Sequence, residues 1–210
     1  MPSSSAPLVF IVSGPSGCGK STLVEKMLEL PSIRFSISCT TRQPRPAESP
    51  GKWYNFISEE EFDRMVERGE FLEHARVFSR YRYGTPRRWL EEARAAGEDL
   101  VLEIDVQGAA QVRTALADSV SIFILPPSRQ ALGERLRARG QDTEEEIARR
   151  LAQAQQEILE HVKQYHHVVI NDELETAGRK VQSIVLAART RCPTAMASDA
   201  VRQVLRSFGG

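Results

Sequence analysis

Cysteine is scarce: three in 210 residues, at positions 18, 39 and 192, with no CxxC or zinc-ribbon spacing among them. That argues against a disulfide framework and against a structural metal. Net charge is also missing, because 28 Lys plus Arg balance 28 Asp plus Glu. A protein that binds nucleic acid over its whole surface would be strongly basic, so no nucleic-acid partner is expected. There is no long hydrophobic run. Leu8–Val12 is too short for a signal peptide or a membrane span, and Met1–Pro7 carries no basic flank. A reduced, cytoplasmic protein without a membrane partner is the expectation. Lysine is rare as well, 5 against 23 arginines. Guanidinium forks match phosphate bidentately, so local anion sites fit this bias, although codon usage explains it equally well.

What is present suits one α/β domain with room for an insertion. Leu8–Val12, Leu100–Ile104, Val120–Leu125 and Val168–Ile170 are apolar runs of the kind buried on both faces of a parallel sheet. Helical patterns cover Lys20–Leu30, Gln107–Leu116, Arg129–Arg137, Glu144–Gln164 and Leu174–Arg189. The stretch 34–97 reads differently. Phe35–Thr40 alternates with period two, prolines and Gly51 break the chain, and Trp53–Phe56 and Phe71–Val77 suggest short strands. The expected organisation is a frayed 1–7, a core of 8–33 and 98–190, a small mixed subdomain inserted at 34–97, and a tail at 191–210. Asp199–Phe208 has apolar residues at helical spacing.

Glu59–Glu61 and Glu144–Glu146 look catalytic in isolation. Ser58-x-x-Glu61 and Thr143-x-x-Glu146 have capping-box spacing, so both runs are read as helix starts. His166-His167 lacks metal-ligand spacing, and a structural role is expected for it and for His74 and His161.

The strongest signal is Gly14-Pro15-Ser16-Gly17-Cys18-Gly19-Lys20-Ser21, followed by Thr22. It fits G-x-x-x-x-G-K-[ST] at every fixed position, directly after a buried strand and opening a helix. Glycines let the backbone curl into a nest of N–H groups, and the helix terminus adds positive potential. Lys20 can reach β and γ phosphates, and the Ser21 hydroxyl can ligate Mg²⁺. A nucleoside-triphosphate site is predicted. Cys18 needs no thiol chemistry, though Lys20 and the helix start offer a route to a lowered pKa. The base-reading N-K-x-D of GTPases is absent, and the insertion points to a second substrate.

Ser38-Cys39-Thr40-Thr41-Arg42-Gln43-Pro44-Arg45-Pro46 resembles the nucleotide-monophosphate segment of the guanylate kinase family. The resemblance continues through Gly51–Phe56, Phe71–Ala75, Tyr83-Gly84-Thr85, Ile104–Gly108, Ile124–Ser128 and Val169–Asp172, covering about residues 8–190. It implies a P-loop NTPase-type α/β fold whose parallel sheet is flanked by helices. A small mixed α/β GMP-binding subdomain would be inserted, and a helical lid is expected at 128–151. It implies ATP:GMP phosphotransfer with Mg²⁺, ATP and GMP being the substrates. By the same resemblance Arg42, Arg45, Tyr54 and Tyr83 hold the GMP phosphate, with Gly84 beside them. Ser38, Glu73, Thr85 and Asp105 read guanine. Arg135, Arg139 and Arg150 serve the lid, with Lys20 and Arg42 joining them in catalysis, and Asn171 lies near adenine. Phe78–Gly84 is one residue longer than the usual family run. Glu103 stands where aspartate is usual, and 191–210 falls outside the resemblance. A P-loop kinase for another phosphorylated molecule, a non-catalytic interaction module, and monomer against homo-oligomer stay open at this level.

Overall fold

The structure is a computed structural model and describes residues 7–44, 48–77, 81–140, 142–196 and 198–208. The first half of the chain forms β1 (Val9–Ser13), α1 (Lys20–Leu28), β2 (Ile33–Phe35), β3 (Ser38–Thr40), β4 (Tyr54–Phe56), α2 (Glu59–Glu67), β5 (Phe71–Val77), β6 (Tyr81–Pro86) and α3 (Arg88–Ala96). The second half forms β7 (Asp99–Glu103), α4 (Val106–Ala115), β8 (Val120–Leu125), α5 (Arg129–Ala138), α6 (Glu144–His161), β9 (His167–Ile170), α7 (Leu174–Arg189), α8 (Cys192–Met196) and α9 (Asp199–Ser207).

Five strands make an all-parallel sheet in the order β2-β7-β1-β8-β9. The continuous apolar runs of β1, β7 and β8 are buried on both faces because helices cover both, as parallel pairing requires. Alternate residues divide between two cores. Phe10, Val12, Val101, Ile122 and Ile124 pack with Leu23, Met27 and Val181 on one side. Val9, Ile11, Leu100, Leu102 and Phe123 pack with Leu90, Ala109 and Val112 on the other. Asp99 pins the sheet's margin, accepting from the Leu8 N–H at 2.9 Å and from Arg189 Nε at 2.7 Å.

A second, mixed sheet of order β4-β3-β6-β5 forms the insertion, closed by α2. Here the structure corrects the sequence reading. The alternating run Phe35–Thr40 is not one strand: Ile33–Phe35 pairs with β7 in the core sheet, and Ser38–Thr40 pairs with β4 and β6. The crossing falls at Ser36, whose N–H still bonds the Val101 carbonyl at 3.0 Å. Period two persists through the crossing, so the pattern alone could not show the change of sheet. Similarly, α3 is sequence-adjacent to the insertion but buries Leu90 and Ala93 against the core.

Both acidic runs begin helices. Ser58 Oγ accepts from Glu61 N at 3.1 Å, and Thr143 with Glu146 completes a reciprocal capping box. The helices α5 and α6 share a cluster of their own: Leu132, Leu136, Ile147 and Ala154. Among the described residues no helix is long and apolar enough to cross a membrane.

The insertion's core is small, with Cys39, Phe62 and Phe71 fully or nearly buried. Phe62 stacks on Phe71 at 4.6 Å, with the Arg82 guanidinium 4.2 Å over its face. Phe62→Ala should cost about 3–5 kcal/mol of stability, the usual loss for an aromatic core truncation. Urea unfolding measures it, and a loss below about 1 kcal/mol would show that the cluster does not hold the insertion together.

Candidate active site

One cavity of about 420 Å³ opens between the two sheets and the α5–α6 pair. Its walls gather residues far apart in sequence: Gly14, Ser16, Gly17 and Gly19 to Thr22 from the loop after β1 and the start of α1, Ser38 and Arg42 after β2, Tyr54, Glu73 and Tyr83 from the second sheet. Glu103 to Asp105 come from the end of β7, and Arg139 and Arg150 from the helical pair.

The loop between β1 and α1 is curled under tension that glycine relieves. Gly19 is left-handed, at φ 92°, and a side chain there would collide with the Asn171 amide. Lys20 Nζ donates to the carbonyls of Gly14 at 2.8 Å and Pro15 at 3.2 Å, which folds the ammonium over the loop. Ser21 Oγ donates to Glu103 Oε1 at 3.0 Å. Desolvation raises the Glu103 carboxyl from its ordinary value, against the opposing pull of Lys20 and the Ser21 hydroxyl.

Glu73 lines the same cavity from β5, buried with 4% exposure. Burial is the main cause lifting its carboxyl to about 7, with Asp105 adding to the rise. The Thr85 hydroxyl donates to Glu73 Oε1 at 2.7 Å, and Ser38 Oγ lies 3.2 Å from Thr85 Oγ1. Since the Thr85 hydrogen is committed to Glu73, its oxygen receives from Ser38. Asp105 caps α4 by accepting from Gly108 N at 2.8 Å. Gly108 itself has no room for a side chain, because a Cβ would strike the Glu73 carboxylate.

Arg42, also on the cavity wall, is nearly buried, with its guanidinium 5.1 Å from the Tyr54 ring centroid and 5.3 Å from that of Phe56. Its Nε donates to the Tyr83 hydroxyl at 3.1 Å. Tyr83 is thus placed in the cavity, whereas Tyr81 pairs with Val77 at the far end of the hairpin. Arg150 donates to Ser16 Oγ at 3.1 Å and to Asp142 Oδ1 at 2.8 Å, linking the helical pair to the loop.

Some expected residues stand elsewhere. Arg135 and Asn171 do not line the cavity. Asn171 Nδ2 donates to the Cys18 carbonyl at 2.9 Å, and Arg135 donates to the carbonyls of Cys18 at 3.3 Å and Asn171 at 2.8 Å. They brace the loop from behind. Pro15 and Cys18 also lie off the cavity wall, and Gly84 and Thr85 stand behind it. A reactive Cys18 is not supported, because burial pushes the thiol up and outweighs Lys20. Arg45 and residues 78–80, where the chain runs longer than its resemblance, lie outside the described residues. Sequence reasoning missed Glu48, Trp53 and Glu157, all on the cavity wall. Acidic groups in a phosphate-binding setting have no local signature, and only the fold brings them in.

Known proteins resemble the chain along nearly its whole length. The family model described as guanylate kinase matches residues 6–188. The chain is 47% identical over 192 residues to the guanylate kinase of Symbiobacterium thermophilum, covering 91% of this chain and 90% of that one. It is 47% identical over 186 residues to the guanylate kinase of Escherichia coli K12, covering 87% and 89%. The crystal structure of guanylate kinase from Anaplasma phagocytophilum superposes with a TM-score of 0.79 at 34% identity, over 98% of this chain and 96% of that one.

The raised Glu73 carboxyl has a consequence for stability. Between its unfolded value of 4.5 and its folded value of about 7, the folded state holds the proton more tightly. The stabilisation is complete below the unfolded value and is lost as pH rises through the folded one. Unligated protein should therefore lose up to roughly 3 kcal/mol between pH 5 and 8 from this group. Glu73→Gln should flatten that part of the profile. Denaturant titrations across this range test it, and parallel profiles for both proteins would refute the assignment.

Proposed function

The chain belongs to the guanylate kinase family, and from that premise we propose how its own residues carry the phosphorylation of GMP by ATP. One observation bears the weight. A complete P-loop, a buried carboxylate with guanine-reading chemistry and Arg42 line one cavity. Transfer moves the γ-phosphoryl group of ATP to an oxygen of the GMP phosphate, breaking the β–γ bridging P–O bond and yielding ADP and GDP.

In this reading the triphosphate lies on the loop Gly14–Thr22. Two of the three Lys20 donors rest on Gly14 and Pro15, which leaves one to meet a phosphate oxygen. Arg42, with Arg45, Tyr54 and Tyr83, receives the phosphate of GMP, and Gly84 keeps the backbone close. Arg139 and Arg150 approach from the helical pair to neutralise charge on the moving group, the main demand of phosphoryl transfer. Arg135 acts through the loop it braces.

Guanine offers N1–H and N2–H₂ donors beside the O6 acceptor. An ionised Glu73 accepts from the donors, whereas adenine has no such donor pair. The Ser38 and Thr85 hydroxyls and Asp105 complete the reading surface. Because Glu73 titrates near neutrality, binding of GMP should draw off its proton and strengthen as pH rises past about 7.

Ser21 with Glu103 places a hydroxyl and a carboxylate together at the loop, oxygen donors of the kind Mg²⁺ takes, and nucleotide phosphates would complete its shell. Bound there, the ion would screen the triphosphate charge. The reading also places the protein in the cytoplasm, consistent with cysteines that are all free.

Lys20→Met should keep the fold and lower kcat by roughly 10²–10³-fold, the scale of losing one preorganised charge donor. Near-normal turnover would remove ATP from this loop. Glu73→Ala should lower kcat/KM for GMP by roughly 10²-fold or more while KM for ATP changes little. A coupled assay of ADP release across GMP, dGMP and AMP separates the outcomes. Undiminished use of GMP would leave Glu73 a structural carboxyl and shift specificity to Ser38 and Asp105.

A further inference from the structure

Glu48 is a carboxylate on the wall of a cavity that must accept phosphate, where its charge should repel the substrate. Its contacts account for its presence. Arg42 Nη1 donates to Glu48 Oε2 at 2.5 Å and Nη2 donates to Oε1 at 2.7 Å, a two-bond fork across the end of the guanidinium. The second Nη1 hydrogen goes to the Gln43 carbonyl at 3.0 Å. Nε donates to the Tyr83 hydroxyl at 3.1 Å.

A guanidinium has five N–H donors in one plane, so four are accounted for. The fifth is the remaining Nη2 hydrogen, on the same edge as Nε. On that edge the Tyr83 oxygen receives from Nε, which leaves the Tyr83 O–H hydrogen to donate outward. The end of the guanidinium is occupied, and its side edge keeps one Nη2–H without a partner among the described residues, next to the phenol hydroxyl.

We propose that Glu48 is a positioning residue, which grips Arg42 from its far end so that the Nη2–H and the Tyr83 O–H together face the phosphate of GMP. Arg42 side-chain exposure is 8% and that of Glu48 is 21%, so the pair sits where a fixed geometry can be held against water. Without Glu48 the end fork would be the stronger anion site. A phosphate would then sit there, displaced from the Tyr83 side and from the line of transfer. The inference rests on the reading of Arg42 as the phosphate donor.

The test measures GMP and guanosine binding by calorimetry, together with steady-state kinetics, in Glu48→Gln, Glu48→Ala and Arg42→Ala. For both Glu48 variants, KM for GMP should rise about tenfold or more, and kcat should fall as well because the phosphate is misplaced. Guanosine, which lacks the phosphate, should bind within about twofold of the wild type, and KM for ATP should hold. Glu48→Asp keeps the charge at shorter reach and should lie between; it also serves if the other variants do not fold. Tighter binding of GMP or of inorganic phosphate in Glu48→Gln would show that Glu48 occupies the phosphate seat, and would overturn the proposal. Equal weakening of GMP and guanosine would reveal a merely structural role and overturn it too. Unchanged GMP kinetics in Glu48→Gln alongside a loss in Arg42→Ala would reject Glu48 alone. An unchanged KM for GMP in Arg42→Ala would reject the phosphate reading itself.

Discussion

Parallel pairing is the constraint from which the cavity follows. Two neighbouring parallel strands end at the same edge of their sheet, and β1 and β7 are registered so that Val12 lies beside Glu103. The loop after β1 and the segment Glu103-Ile104-Asp105 after β7 therefore emerge side by side. Ser21 reaches Glu103 for that reason, although 82 positions separate them in the chain. The apolar runs of these strands hold the register. A slip by one residue would turn each buried side chain to the opposite core, moving Phe10 and Val12 among the residues that now surround Val9 and Ile11. The hydrophobic pattern of the centre thus sets the chemistry at the rim.

The cavity solves a charge problem in a chain with no net charge to spend. Two phosphate-bearing substrates require cations, yet Glu48, Glu73, Glu103, Asp105 and Glu157 also face the space. Each carboxylate for which the structure gives contacts is tied to a particular donor. Glu103 takes the Ser21 hydroxyl, Asp105 takes the first turn of α4, Glu73 takes Thr85, Glu48 takes Arg42, and Glu157 takes the Gln153 amide. Paired in this way an acid shapes a neighbouring donor without cancelling the field of the site. Burial raises the carboxyls of Glu73, Glu103, Asp105 and Glu157 alike, and for Glu73 it does so to about 7, which lowers the cost of keeping that group buried near neutral pH.

Much of this was legible in the sequence, and the reasons are specific. The P-loop could be read because its residue types are dictated by contiguous backbone geometry. The core strands could be read because burial on both faces leaves uninterrupted apolar runs. Resemblance supplied Ser38, Arg42, Tyr54, Glu73, Tyr83 and Asp105, and the fold gathers all six around one cavity. What escaped depends on contacts at long range. The passage of the chain from one sheet to the other at Ser36 left the alternation intact. β6 is interrupted by Gly84 and ended by Pro86, which disguise a strand. Glu48 sits in a proline-rich segment whose composition announces only a loop.

Arg135 and Asn171 make contacts that their motif match does not announce. Arg135 was expected in the lid and Asn171 near adenine, and in this structure both hold the Cys18 carbonyl. A phosphate nest requires N–H groups turned inward, and each carbonyl of the loop is a competitor that must be kept out. Two donors keep the Cys18 carbonyl engaged, and the missing side chain of Gly19 lets Asn171 come close enough to do it. Arg135 further joins α5 to the ends of the P-loop and of β9 by spanning Cys18 and Asn171. Arg135 on α5 and Arg150 on α6 thus both tie the helical pair to the loop. An arginine on α5 can consequently influence transfer without touching a phosphate, by fixing the backbone that does.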